Sequence, residues 1–121
     1  MGTAIQLLGG TLRTYLASAV VALTDGATIA TNASQGNVFA VTIAGDRTIS
    51  NPTNPVDGQV IRYRITQGTG GNFTLSFGNA FDFGAAGAPT LSTSAGKVDI
   101  LGFEYIAALT SWCYLGSALG N

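Results

Sequence analysis

Apolar and polar residues alternate with a period of two over most of this chain. In residues 37–44, Phe39, Val41 and Ile43 share one parity, and Val38, Ala40 and Thr42 share the other. In 58–67, Ile61, Tyr63 and Ile65 alternate with Val60, Arg62 and Arg64. In 72–77, Phe73, Leu75 and Phe77 alternate with Asn72, Thr74 and Ser76. Successive side chains of a strand point to opposite sides of a sheet, so each stretch reads as a half-buried strand. Turn signals recur at short intervals: Asp25-Gly26, Gln35-Gly36, Gly45-Asp46, Asn51-Pro52, Asn54-Pro55, Asp57-Gly58, the glycine-rich run 68–72, Gly78-Asn79, 84–89 and Ala95-Gly96. Helices long enough to cross over a sheet do not fit between them. The pattern predicts strands at 20–24, 28–31, 37–44, 47–49, 58–67, 72–77, 90–91, 97–105 and 111–115. That is an all-β domain, an antiparallel β-sandwich of jelly-roll type with eight or nine short strands.

Three local features refine this picture. Pro52 and Pro55 lack an amide donor and hold Asn51 and Asn54 extended, so 50–57 cannot continue as a central strand and is expected to cross between sheets. The strands 58–67 and 72–77 are expected to pair as a hairpin around the loop at 68–72. In 97–105 the apolar residues change parity, Val98 and Ile100 on one and Leu101, Phe103 and Tyr105 on the other, which places a bulge at Gly102.

Residues 1–18 differ from the rest. Ile5, Leu7, Leu8, Leu12, Tyr15 and Leu16 are scattered around Gly9-Gly10, and a helical spacing from Leu12 to Leu23 competes with the β-branched pair Val20-Val21 and the lack of a capping residue. The expected organisation is an N-terminal arm, 1–18, and a sandwich domain, 19–121. An arm this short cannot bury its own leucines, so it is expected to pack on a partner.

Composition narrows the function. Only 9% of the 121 residues are charged, against the roughly 25% usual in a soluble domain, which suggests a surface covered by other subunits. A net charge of -1 offers no basic field for nucleic acid, and no apolar run approaches the roughly 20 residues that span a bilayer. The chain has no histidine, which excludes imidazole bases, histidine-based triads and histidine-bearing zinc sites. Cys113, the single cysteine, lacks the usual activating base and reads as a strand residue. Asp25, Asp46 and Asp57 sit beside turn glycines, where aspartate caps local backbone. Asp99 and Glu104 are the remaining acid pair to weigh, but they have opposite parity on one strand. No enzyme activity, metal or cofactor is expected. Arg62 and Arg64, together with Trp112 and Tyr114, are the candidates for contact with a glycan, through charge and ring stacking respectively.

Four stretches carry a family resemblance: 42–49 leading to Asn51-Pro52 and Asn54-Pro55; Asp57-Gly58-Gln59 opening an arginine-bearing strand; 70–75; and 91–99 before Leu101-Gly102-Phe103 and Trp112. Across 25–115 the chain resembles a β-sandwich module of tailed-phage structural proteins, found in head decoration proteins and near the ends of tail fibres. The resemblance implies a virion protein without an active site. Having only a short segment before the module, the chain is expected to be a capsid decoration (cement) protein on the outer surface of the head. Its expected partners are the major capsid protein, reached through Ile5, Leu7, Leu8, Leu12, Tyr15 and Leu16, and copies of itself in a homotrimer. The alternative is a carbohydrate-binding receptor module of a tail fibre.

Overall fold

The computed structural model describes residues 19–121. They hold nine strands, β1 (Val20–Ala22), β2 (Thr28–Ile29), β3 (Val38–Ile43), β4 (Arg47–Ile49), β5 (Val60–Gln67), β6 (Leu75–Phe77), β7 (Phe81–Asp82), β8 (Val98–Ile106) and β9 (Ser111–Ala118). Two single 3-10 turns, Ala33–Gln35 and Ala107–Leu109, interrupt them, so the fold is all-β. The expected strand at 90–91 is absent, and β7 is a strand that alternation did not reveal, being only two residues long.

One sheet has six strands in the order β1-β3-β5-β8-β9-β7, and the second has three in the order β2-β4-β6. From β1 to β6 the chain alternates between them: odd strands enter the large sheet, even strands the small one. Neighbours within a sheet therefore come from successive coils of the chain and run parallel, β1 with β3, β3 with β5, β2 with β4 and β4 with β6. Parallel neighbours need a long crossover, and here a strand in the opposite sheet supplies it in place of a helix. Antiparallel pairing is confined to β5 with β8 and β8 with β9.

This corrects the antiparallel expectation, and with it the hairpin between β5 and β6, which lie in different sheets. The loop at 68–72 carries the chain from one sheet to the other. Its glycines are there for close approach: a Cβ on Gly68 would stand 2.5 Å from the carbonyl oxygen of Ile43 in the preceding coil. The prolines do mark a crossing, from β4 to β5, with Pro52 buried and Thr53 bridged to Asn32 of the coil before.

Both sheets contribute to one core. Phe39, Val41 and Ile43 of β3, Ile61, Tyr63 and Ile65 of β5, Leu101 and Phe103 of β8, Phe81 of β7 and Trp112 of β9 meet Ile29 and Ile49 of the small sheet. The parity read from β3 and β5 thus gives the core face correctly. Aromatic rings knit it together: Phe103 lies 5.0 Å from Phe81 and 6.2 Å from Phe77 between ring centroids. At its centre the Tyr63 hydroxyl lies 2.8 Å from that of Thr31, satisfying both buried groups. Burial pushes the Tyr63 phenol upward, against the lowering effect of that hydrogen bond.

Candidate functional site

The acidic residues are the first place to look for chemistry, and the five aspartates are spent on the backbone. Asp25 accepts from the Ala44 amide, Asp46 from Thr74, Asp57 from Ala107 and Asp82 from Gly84. Asp99 is buried and accepts three hydrogen bonds, from the Ser92 amide at 2.6 Å, the Ser92 hydroxyl at 2.7 Å and the Gly120 amide at 2.8 Å. Local turn capping describes only Asp82. The other four reach across the fold and pin one coil or loop to another. Asp25 also pairs with Arg47 at 2.9 Å, and that guanidinium holds its carboxyl below the ordinary value despite partial burial.

Amide side chains do the same work, which sequence reasoning missed because Asn and Gln carry no periodic signal. Gln67, buried at the end of β5, grips Phe73 at both backbone groups: its Nε2 donates to the Phe73 carbonyl, and its Oε1 accepts from the Phe73 amide. Gln59 donates to the carbonyls of Ala33 and Gly36, and Asn51 accepts from the Ala80 amide.

Asp99 and Glu104 face opposite sides of the large sheet. β8 pairs with β5 in unbroken register from Val60↔Glu104 to Thr66↔Val98, so β8 itself is regular. The shift beside Gly102 falls in the β8–β9 ladder, where Phe103 pairs with Tyr114 and Gly102 with Gly116, leaving Leu115 of β9 as the extra residue. The change of apolar parity in β8 has another cause. Leu101 and Phe103 fill the core, and Val98 and Ile100 lie on the outer face, which is also apolar.

The four glycan candidates divide between the two faces. Arg62 and Arg64 are exposed on the outer side of β5. Trp112 is buried with its ring centroid 5.0 Å from that of Tyr105. Tyr114 turns inward against Phe83 and Phe103, its hydroxyl 2.6 Å from that of Ser117. The two aromatics therefore belong to the core side and form no common site with the arginines. Arg47, at the start of β4, belongs to the small sheet and not to this face. The arm residues Ile5, Leu7, Leu8, Leu12, Tyr15 and Leu16 lie outside the described residues.

Two features remain on the surface. A shallow groove of about 590 Å³ at one end of the fold is lined by Ser34, Asn37, Asp57 and Gln59 together with Val56 and three small residues. The larger feature is the outer face of the six-stranded sheet. In register across it lie Val20, Val38, Arg62, Gly102 and Gly116; then Ala22, Ala40, Arg64, Ile100 and Ala118; and beside them Val60, Glu104, Cys113 and Asp82. Arg62, Arg64 and Glu104 make no ion pair among the described residues. Cys113 sits between the two acids, and burial first, then the charges of Asp82 and Glu104, push its thiol upward. That is the reverse of what a nucleophilic cysteine requires.

No group of three or more potential metal ligands occurs among the described residues. Comparison with protein families, curated proteins and solved structures found no match for the chain.

Proposed function

We propose that this chain is a structural protein of a tailed-phage virion: a capsid decoration, or cement, protein on the outer surface of the head. It binds the major capsid protein and further copies of itself, as a homotrimer, and acts by covering surface rather than by chemistry. The observation that carries the reading is the outer face of the large sheet, where Val20, Val60 and Leu115 are 47%, 43% and 58% exposed in a chain whose charge content is only 9%. Burying such a face contributes roughly 25 cal/mol per Å² of apolar area, without any catalytic group. In this reading the apolar side chains of residues 1–18 add to the same contacts.

A second support comes from the stretches through which the chain resembles the phage module. They build the corners of the coils and clasp one another. Gly71, with φ +63°, would bring a Cβ within 2.5 Å of the Thr93 carbonyl, and the Asn72 amide donates to that same oxygen at 2.6 Å. Asp57 holds the turn after β8 through Ala107.

Imaging tests the reading: virions from cells carrying the gene are labelled with an antibody against the chain. Label over the head is expected, and protein lacking residues 1–18 should fail to sediment with expanded heads. Virions without label refute a virion role.

The groove favours one other reading, a receptor-binding module of a tail fibre. The groove's donors already serve the fold, Gln59 Nε2 on the Ala33 and Gly36 carbonyls, Asn37 Nδ2 on the Val60 carbonyl and the Ser34 hydroxyl on Asn32, so a sugar would be held through the side-chain oxygens of Asn37, Asp57 and Gln59, and the stacking rings first considered for that role are turned away. Label at the tail tip with signal on a glycan array is the expected outcome of that reading, and a silent array refutes it.

A further inference from the structure

The groove between the turn Ala33–Gln35 and the start of β5 is one-sided in its hydrogen bonding. Gln59 turns its amide nitrogen onto two carbonyls, Ala33 at 2.8 Å and Gly36 at 3.2 Å, which spends both N–H bonds and leaves Oε1 without a partner among the described residues. An oxygen in the nitrogen's place would oppose both carbonyls, so the orientation of the amide is fixed. Asn37 is held in the same way, its Nδ2 donating to the Val60 carbonyl at 2.7 Å and its Oδ1 unpartnered. The Ser34 hydroxyl donates to Asn32 Oδ1 at 2.6 Å and keeps its own lone pairs. Asp57 accepts from the Ala107 amide through Oδ1 alone, which leaves Oδ2 unused. No buried side-chain oxygen lacks a partner among the described residues, so these oxygens open to solvent and not into the core. All four residues line one groove, and no arginine or lysine lines it with them.

We infer that this groove binds a primary ammonium group carried on a sugar ring, that is, an amino sugar whose amine is not acetylated. An ammonium has three N–H donors and no acceptor, which matches oxygens whose own donors face the fold. A hydroxyl both donates and accepts, and of the side-chain donors here only the second N–H of Asn37 is left to meet it. An anion would meet lone pairs and the Asp57 charge. Calcium takes about six to eight oxygens, usually with several carboxylates, and the groove holds one. Asp57 supplies the strong contact, because a hydrogen bond between ionised partners is roughly twice as strong as a neutral one. Shape selects the carrier. The groove is shallow, about 590 Å³, and Val56 with Ala33, Gly36 and Gly58 sets apolar carbon beside the oxygens, where a ring fits. A lysine side chain would bring the same ammonium on a thin stem and leave most of that space unfilled. The inference rests on the receptor reading of this groove and narrows it from sugars at large to one class.

NMR titration of the nitrogen-15-labelled full chain at about pH 6, where the amine is protonated, tests it. Glucosamine is expected to shift the amides of 34–37 and 56–60 and to saturate at millimolar concentration. Glucose and N-acetylglucosamine offer the same ring without the charge and should bind at least about fivefold more weakly. Asp57→Asn keeps an acceptor for the Ala107 amide but turns an NH₂ into the groove, so it should weaken glucosamine by a similar factor. Val56→Arg, at a side chain 64% exposed, sets a like charge at the rim without touching the core and should do the same. No shifts up to about 50 mM glucosamine, or an affinity that survives both substitutions, overturns the inference. Equal binding of the three sugars overturns it as well but leaves the receptor reading standing, since that reading needs only a glycan. Nα-acetyl-lysine methylamide binding as tightly as glucosamine refutes the sugar as carrier.

Discussion

The carboxylate of Asp99 is the most demanding polar group in the described fold, and its replacement has a calculable consequence. It is 3% exposed, and it holds Ser92 of the strap before β8 and Gly120 near the C-terminus against the sheet. In Asp99→Asn the side chain keeps its shape but carries one acceptor oxygen. If that oxygen takes the Oδ2 position it still receives the Ser92 amide, and the Ser92 hydroxyl can turn to accept from the new NH₂. The Gly120 amide is then opposed by a donor. One charge-assisted bond is lost and one amide is stranded, at a cost of about 1.5–3 kcal/mol. Asp99→Ala strands all three donors and should cost more, about 3–5 kcal/mol by the same reasoning. Urea unfolding followed by circular dichroism measures both. The Asn variant should melt on the order of 6–15 °C lower for a domain of this size. A change under about 0.5 kcal/mol in both variants, or equal losses in the two, would refute the assignment of Asp99 as a clasp.

Other positions give independent checks. Tyr63→Phe leaves the Thr31 hydroxyl buried without its partner and should destabilise by about 1–3 kcal/mol, with Thr31→Val added to it recovering part of the loss in the same urea assay. Gly71→Ala meets both the positive φ and the Thr93 carbonyl, so it should cost more than the roughly 1 kcal/mol of an ordinary Gly-to-Ala strain at a left-handed site and lower the melting temperature accordingly. Since Arg47 holds the Asp25 carboxyl below its ordinary value of 3.8, the pair adds stability above that pH and loses it as the pH falls further. Asp25→Asn should therefore flatten the acid limb of stability against pH in that range and leave the neutral limb parallel to the parent. The raised Cys113 thiol should react with iodoacetamide at pH 7.5 more slowly than free cysteine; equal or faster alkylation contradicts its placement beside Asp82 and Glu104.

Much of the strand content was legible because period-two alternation is a local signal. Phe39, Val41 and Ile43 or Ile61, Tyr63 and Ile65 need no knowledge of their neighbours to declare a face. Which strands pair is a different question. A turn such as 68–72 bends the chain whether the next strand returns to the same sheet or enters the opposite one, so the hairpin expectation had no local evidence against it. The coils themselves were hidden by unequal length: 18 residues separate Val20 from its partner Val38, and 24 separate Val38 from Arg62, so no fixed period repeats along the chain. Trp112 and Tyr114 illustrate the same limit. Their shared parity was visible, but which side of the sheet it faces depends on β8 and β7. For the surface, the informative signal was the double apolar parity of β8, which reads equally as a bulge or as a strand apolar on both sides. Only the register with β5 separates those meanings.

The arrangement of sheet edges bears on how such a chain associates. Copies can join by adding strand to strand or by laying face on face, and the first needs a long unpaired edge. The terminal strands here are short, three residues in β1 and β6 and two in β2 and β7. The eight and nine residues of β5 and β8 lie between paired strands inside the large sheet, whereas β9 is covered by β7 only at Trp112 and Cys113, which leaves residues 114–118 as an open edge. Edge-to-edge addition at β1, β2, β6 or β7 could gain only a few hydrogen bonds per contact, so residues 114–118 of β9 are the stretch where a joining strand would gain most, while the outer face offers the breadth of six strands. Side chains follow the same division: aspartates and amides are used to fasten loops, which leaves Arg62, Arg64, Lys97 and Glu104 as the described charges with no internal task, three of them on the outer face. If association runs through the face, reversing those charges should yield soluble monomers. If it ran through the edges, the same substitutions would leave the assembly intact.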